Sequence, residues 1–397
     1  MSEVAWVVDA SIVEVESGSV RSGRTLRIAA GRIEAAGSAV PRAGERVLDA
    51  HGGFVVPGLI SCHTHLSIVF PMGDTDPAEF PALTAVRATA RARAALESGI
   101  TTLRCVHEQH RVDLWLREAR RRGWLELPRI FGAGRAVTTP GGHGAGMGCA
   151  EASGEDEFYE AACEELRAGA DHVKIFINGG IARAGEDPGA SEMTDGELDG
   201  AVRAAGEHDA YVVAHSGSST AIRQALARGV RCFEHAYELD SETAALLARE
   251  GAYVTPTLVV TRCEPWMRDN HFAEATIANA ARAAEGHLAS IKNAVAAGVP
   301  LLAGTDLPPA DDVGGLSATV YELTLLEDAG LSRVEALQSA TSTPASLLGV
   351  TGELGTLRPG ARADLLVLEA NPLDDLTALG APRTVVQEGR VVAGRVP

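Results

Sequence analysis

The sequence predicts an α/β protein whose body is a (β/α)8 TIM barrel. Two observations carry this. Eight short apolar β-type runs alternate with helical stretches rich in Ala, Glu, Arg and Leu across the middle of the chain. Six of those stretches stop at Gly99, Gly123, Gly169, Gly229, Gly251 and Gly298, each just before the next run. Glycine relieves the left-handed backbone that ends a helix, so the regularity has a mechanical cause. An open doubly wound sheet is the competing architecture, but no Gly-rich phosphate loop follows the first run.

The elements follow in order. The first 57 residues and the last 45 or so share a texture of short alternating runs rich in Val and Gly, at 11–15, 25–30, 31–35, 364–369 and 384–392. Such runs, broken by Gly, Pro or charge, predict short antiparallel strands, with Gly31-Arg32 and Gly389-Arg390 as hairpin turns. The eight barrel runs are 54–60, 101–106, 129–133, 172–177, 211–214, 231–234, 253–258 and 300–304. Ser332 with Glu335 forms a capping box, and Pro344 is placed at a first helical position. The division is a strand-rich unit made of 1–57 and 351–397 and a barrel over 58–350.

Composition narrows the function. Lys and Arg number 35 against 53 Asp and Glu, a formal charge of −18. That balance excludes nucleic acid as the expected partner, because phosphate backbones demand clustered cations. No stretch reaches the roughly 20 apolar residues that a spanning helix needs, so no membrane association is expected. The six cysteines are scattered without a Cys-x-x-Cys pair. Together with an N-terminus lacking signal-peptide character, they predict reduced thiols and a cytoplasmic protein.

The polar residues that interrupt the apolar runs carry the chemistry, since barrel enzymes keep their sites at the C-terminal strand ends. His63 and His65 are two apart, so on a strand both side chains share one face and can chelate one zinc-like ion. A lone His-x-His also occurs in exposed loops. Lys174 stands inside the apolar run 172–177, where a free ammonium pays heavily for desolvation. It needs a carboxylate partner, a neutral amine or conversion by CO2 to a carbamate; a lysine snorkelling from the strand end is the plainer alternative. His215, His235 and Asp306 end the fifth, sixth and eighth runs. Six metal-competent groups at five strand ends predict a binuclear site.

On these residues the chain resembles the amidohydrolase superfamily, in its prolidase-like and Xaa-Arg-dipeptidase-like branch near imidazolonepropionase-type sequences. The most specific pieces are Pro57-Gly58-Leu59-Ile60 leading to His63-Thr64-His65, Gly99 through Arg104, Val173-Lys174 through Gly180, and Phe233-Glu234-His235. Ala303-Gly304-Thr305-Asp306, 340–345 and 360–365 complete them. The resemblance implies a small β-sandwich formed by the two terminal segments beside the barrel. It implies that His63, His65 and Asp306 hold the more buried of two divalent ions, most simply zinc, and that His215 and His235 hold the second. Carboxylated Lys174 would bridge them, with a hydroxide between the ions and Asp306 as ligand and proton shuttle. Relatives that deaminate rings lack this lysine and place a Glu three residues after the fifth-strand histidine. Here Ser218 stands there, so hydrolysis of an amide or related acyl bond is expected.

Gly141-Gly142-His143-Gly144 resembles the dipeptidase branch, which places His143 against the scissile oxygen or a substrate carboxylate, with an exposed turn histidine as the alternative. Tyr237 would project from the same rim, or simply pack; Arg183 is a further anion contact, or a solvated surface residue. Ser61 and Cys105 replace the Asp common in relatives, which bears on the residues orienting the ligands. Cys105 reads as a buried thiol, and His107 and His110 as exposed loop histidines or a polar pocket wall. The expected function is a binuclear hydrolase of dipeptides or N-acyl amino acids. Hydrolysis of a carbamate, aryl amide, urea or lactam is the alternative, and a metal-free scaffold protein the non-enzyme one. The partner is a small molecule, and a homo-oligomer fits the family.

Overall fold

Branched and apolar residues in short runs set up two kinds of sheet. The computed structural model describes residues 3–181 and 186–394. Strands β1 (Trp6–Glu14), β2 (Ser19–Ala29), β3 (Arg32–Gly37), β4 (Val47–Asp49) and β5 (Phe54–Pro57) come first. β6 (Leu59–Thr64), β7 (Ile100–Cys105), β8 (Arg129–Gly132), β9 (Val137–Thr138), β10 (Ala150–Glu151), β11 (His172–Phe176), β12 (Tyr211–Ser218), β13 (Cys232–Glu238) and β14 (Tyr253–Thr255) follow. A two-residue ladder of β15 (Asp312–Val313) and β16 (Leu316–Ser317) precedes β17 (Leu365–Leu368), β18 (Thr384–Gln387) and β19 (Arg390–Gly394).

The two ends of the chain meet in one sheet ordered β19-β18-β17-β5-β1-β2-β3, with β4 added on β1. β5 and β17 pair antiparallel, Val56 opposite Leu366. This sheet has its own apolar core, including Val7, Leu26, Ile33, Val55, Leu365 and Val386. Its hairpins turn one residue earlier than expected. Ala30-Gly31 and Glu388-Gly389 hold the positive φ angles (49° and 72°, 48° and 74°), and Arg32 and Arg390 already begin strands. Two-residue turns of this kind match the right-handed twist of the flanking strands.

The middle of the chain forms two parallel sheets, β6-β7-β8 and β10-β9-β11-β12-β13-β14. Parallel strands need crossovers, and helices such as Gly154–Arg167, Asp195–Glu207, Ser219–Ala227, Ser241–Arg249 and Glu274–Ala297 supply them. These helices bury Phe158, Ala201, Ile222, Leu247 and Ile291 against Ile175, Val212 and Val254 of the strands in one continuous core. All six expected helix-ending glycines have positive φ.

Three expectations need correction. The run 300–304 is not a strand: Pro300 lacks a donor, and only Leu301 bridges, to Val254. The segment is held instead by Cys62 N–H to the Ala303 carbonyl at 2.7 Å and Leu302 N–H to the Val254 carbonyl at 2.9 Å. The run 253–258 is a strand only through Thr255, because Thr257 turns left-handed at φ 52°. Pro344 is the third residue of helix Ser342–Leu347, where its missing N–H is equally harmless. The capping box of Ser332 and Glu335 is present. Among the described residues no helix is long and apolar enough to cross a membrane.

Candidate metal centre

β6 delivers His63 and, just past its end, His65. The 300–306 segment brings Asp306 to both: Asp306 Oδ1 lies 3.0 Å from His63 Nε2 and 3.0 Å from His65 Nε2. Thr305 and Asp306 each donate a backbone N–H to the His63 carbonyl, at 2.8 and 3.0 Å, locking the two segments together. Gly304 makes this approach feasible, since a Cβ there would fall 2.7 Å from His63 Cβ and 2.5 Å from Thr255 Cγ2. Ligand atoms of His63, His235 and Asp306 all lie within 4.8 Å of one another.

The proton positions at this cluster follow from the partners. His63 Nδ1 sits 2.5 Å from Glu234 Oε2, and His65 Nδ1 2.9 Å from the His107 carbonyl. Both partners only accept, so both Nδ1 atoms donate. Each Nε2 then meets Asp306 as an imidazolium donor, or as a lone pair sharing a cation with the carboxylate. His63 Nε2, fully buried, lacks hydrogen-bond alignment to any partner among the described residues. That orphaned atom fits a ligand to a divalent ion, and the donor set of imidazoles plus one carboxylate suits zinc.

The rest of the predicted set lies alongside. β12 and β13 carry His215 and His235, whose rings are 4.5 Å apart. His215 Nε2 donates to the Gly179 carbonyl at 3.2 Å, and His235 Nδ1 lies 2.7 Å from Thr257 Oγ1. Burial first, then the neighbouring His143, holds His215 well below the usual imidazole range. Burial and His215 do the same to His235, so both rings are neutral and free to ligate. Asp306 stays ionised. Burial opposes its charge, but the charge of His63 and a hydrogen bond from His65 hold it well below the carboxylate range.

Lys174, on β11 opposite Val213, is 2% exposed. Its Nζ lies 5.3 Å from the Phe176 ring centre. Burial depresses its amine to about 8, partly opposed by Glu234 and Asp306. His235 and Asp306 hold left-handed backbone, φ 64° and 58°, as does Ala236 at φ 55°. Helix Glu274–Ala297 pins that strained pair: His287 Nε2 donates to the His235 carbonyl at 3.0 Å, and Ser290 Oγ donates to the Ala236 carbonyl.

The softer expectations divide. His143 is buried, 7% exposed; its Nδ1 pairs with Glu186 at 2.7 Å and its ring stacks on His215 at 4.3 Å. Tyr237 is buried, its ring parallel to His235 at 5.2 Å. Arg183 lies outside the described residues. Cys105 is a buried thiol, pushed far up by burial. His107 corrects the expectation of an exposed loop histidine: it is 1% exposed, and burial pulls its imidazole down to about 3. His110 is half-buried, Nε2 donating to the Glu79 carbonyl at 3.0 Å.

Sequence reasoning assigned no role to the charged frame beneath the cluster. Arg104, fully buried on β7, donates to Glu234 Oε1 at 2.6 Å, to Thr255 Oγ1 at 3.0 Å and to the Cys62 carbonyl at 2.5 Å. Glu234 thereby holds His63 from below. Burial alone would raise its carboxyl, but the charges of Arg104 and His63 bring it to about 2. Glu108 accepts the N–H groups of Leu66 and Ser67 at 2.6 and 2.7 Å, fixing the chain just after His65. The available signal was a charge inside an apolar run: Arg104 between Leu103 and Cys105, Glu234 between Phe233 and His235.

Comparison with known proteins is consistent with this geometry. A model of the amidohydrolase family matches residues 54–392. Ochratoxinase of Aspergillus niger is 26% identical over 365 aligned residues, covering 83% of this chain and 73% of that protein. A crystal structure of an amidohydrolase superposes with a TM-score of 0.90 at 30% identity, covering 99% of both chains. A prolidase solved in complex with N-methylphosphonate-L-proline gives 0.90 at 27% identity over 98% of this chain and 99% of that one.

Proposed function

The chain belongs to the amidohydrolase family, hydrolases of carbon–nitrogen bonds, and from that premise we propose a binuclear hydrolase cleaving the amide bond of dipeptides or N-acyl amino acids. The observation that carries the reading is the approach of His63 Nε2 and His65 Nε2 to one Asp306 oxygen, each at 3.0 Å, with both Nδ1 atoms already donating elsewhere. In this reading His63, His65 and Asp306 hold one divalent ion and His215 and His235 a second, both zinc, with Lys174 as their bridge. Lys174 suits carboxylation because an amine near pKa 8 keeps a neutral, CO2-reactive fraction at physiological pH. When bound, the ions supply a water ionised near neutral pH and polarise the scissile carbonyl.

The chain's own residues do the remainder. Asp306, kept ionised, takes the proton of the attacking water at its carboxylate and returns it to the departing nitrogen, so that amide and water become acid and amine. His143, fixed through Nδ1 by Glu186, presents its other ring nitrogen to the substrate oxygen. Tyr237 and His143 line the pocket that opens onto Asp306. We read the two parallel sheets and the 300–306 segment as one closed (β/α)8 barrel over 58–350. The terminal sheet, wrapped about its separate core, is then the β-sandwich unit of 1–57 and 351–397.

The prolidase and Aspergillus niger ochratoxinase likenesses support amide chemistry without naming a substrate. A second reading, hydrolysis of a carbamate, aryl amide, urea or lactam, is favoured by the apolar lining of the pocket around Val260, Trp266 and Met267. The metal-free scaffold alternative is disfavoured by the presence of all six candidate ligand residues. The test is protein purified from medium with zinc and bicarbonate, without chelator. About two equivalents of metal by elemental analysis and turnover of dipeptides or N-acyl amino acids support the proposal. Metal-loaded protein inert toward both classes rejects the substrate reading, and metal-free protein revives the scaffold.

A further inference from the structure

Above the ligand cluster the pocket walls are aromatic. Phe70 follows the β6 segment, Trp266 lies on helix Glu264–Asp269, and Phe272 precedes helix Glu274–Ala297. Their ring centres form a triangle, 5.2 Å from Phe70 to Trp266, 5.7 Å from Trp266 to Phe272 and 6.4 Å from Phe70 to Phe272. Two distant stretches of the chain, one carrying Phe70 and the other Trp266 and Phe272, converge to make it. Phe70 and Phe272 remain half-buried, facing the opening instead of being sealed into the core. Met72, Met267 and Val260 line the same pocket, and methionine gives a wall that adapts to a flat ligand.

The charges around this wall select against ions. Among the described lining residues there is no Lys or Arg. Arg91 lies 5.6 Å from the Phe70 ring centre, but its guanidinium is spent on the Leu66 and Ile68 carbonyls. The inner end, where Asp306 lines the pocket and Glu186 holds His143, is polar and is left to the amide and its carboxylate. The remaining lining is mostly aliphatic, Ile181, Val260, Ala280 and Leu307, with Cys263 and Thr276. Asp311, beside the aromatic end, already accepts the Trp266 indole N–H at 3.1 Å.

We propose that this pocket recognises a neutral aromatic ring carried by the amide substrate, seated against the pocket face of the Phe70, Trp266 and Phe272 cluster while the amide lies over the ligand cluster. Edge-to-face and offset contacts of a fourth ring with these three give the selectivity. The inference rests on the proposed hydrolase reading for its amide, but the ring site can be tested apart from turnover. The ring can belong to the acyl side or to the amine side, and the substrate pairs below separate the two.

The binding test uses metal-loaded protein and 4-phenyl-2-butanone, a ketone that cannot be hydrolysed, with 2-butanone and tetramethylammonium as controls. Expected is saturable quenching of tryptophan fluorescence by the phenyl ketone alone, with the signal lost in Trp266→Phe. In Phe272→Ala the affinity falls about tenfold. The turnover test compares kcat/KM for N-(3-phenylpropanoyl)glycine against N-propanoylglycine, and N-acetylphenylalanine against N-acetylalanine. One pair shows a preference for the ring, and Phe272→Ala reduces that ratio about tenfold. Absence of phenyl ketone binding overturns the proposal, as does a ring preference that Phe272→Ala leaves unmoved. Binding of tetramethylammonium in its place assigns the pocket to cations and also overturns it. Phenyl ketone binding weakened by Phe272→Ala, with no turnover of any amide, upholds the ring site and sinks the hydrolase reading instead.

Discussion

Glu234 is where charge becomes geometry. One of its oxygens is held by Arg104 at 2.6 Å and the other faces His63 Nδ1 at 2.5 Å, which fixes the tautomer that turns His63 Nε2 toward Asp306. Replacing Glu234 with Gln puts a neutral acceptor under His63 and leaves Arg104 buried without its counter-charge. Metal affinity is expected to fall about 10- to 100-fold, read by competition with a chromogenic chelator, alongside a lower Tm. Glu322 makes a separate prediction away from the cluster. It accepts the N–H groups of Leu258 and Val259 at 2.9 and 2.8 Å, yet burial raises its carboxyl from 4.5 to about 8, against those bonds. Between these values the folded chain keeps a proton that the unfolded chain has released, so this group's contribution to stability declines as pH rises from 4.5 to about 8. Glu322→Gln should flatten that decline in denaturant titrations across the window; an unchanged slope would show that the carboxyl is already ionised in the fold. The six proposed ligands were legible because each is a polar side chain interrupting an apolar run. Arg104 and Glu234 gave the same signal, but their pairing joins strands 130 residues apart, and no local pattern reports such a contact.

At the scale of elements, the segment 300–306 does the work of a strand with almost none of a strand's ladder. It is steered by a few hydrogen bonds, one with Cys62 and two each with Val254 and His63, and by the bare Cα of Gly304 against His63 and Thr255. Gly304→Ala is expected to push this segment away from β6, at an overpacking cost of about 1–3 kcal/mol. Thermal denaturation and metal analysis should show stability and bound metal dropping together. A stable variant with full metal content would mean that the contact relaxes cheaply. Helix ends were legible because glycine at a left-handed position is a steric requirement. The extent of the eighth run was not, since alternation of apolar residues is the same whether a segment bonds along its length or at one residue. The terminal hairpins were placed one residue late for a related reason: Ala30 and Glu388 adopt left-handed backbone that their side chains do not advertise.

For the whole molecule, the proposed ligands come from segments that packing alone has to bring together: β6, β11, β12, β13 and the stretch ending at Asp306. Ions bound there favour the folded state by mass action. Dialysis against a strong chelator is therefore expected to lower Tm, with recovery on adding zinc and bicarbonate. A Tm indifferent to both would argue that the protein histidines and Asp306 satisfy one another without metal. The alternation of runs and helices made the body of the fold legible from composition and spacing. The terminal sheet was legible in its strands but not in its order, because β5 and β17 become neighbours only through a pairing that skips most of the chain.

That skipping has a consequence on the ribosome. β5 leaves the exit tunnel early, but its antiparallel neighbour β17 is encoded roughly three hundred codons later, a wait of roughly 15–60 s at ordinary elongation rates. Throughout that interval the nascent chain carries one raw strand edge, with Val55 and Val56 beside it. The first segment to be synthesised is thus among the last to be completed, and translation speed sets how long a chaperone has to shield it.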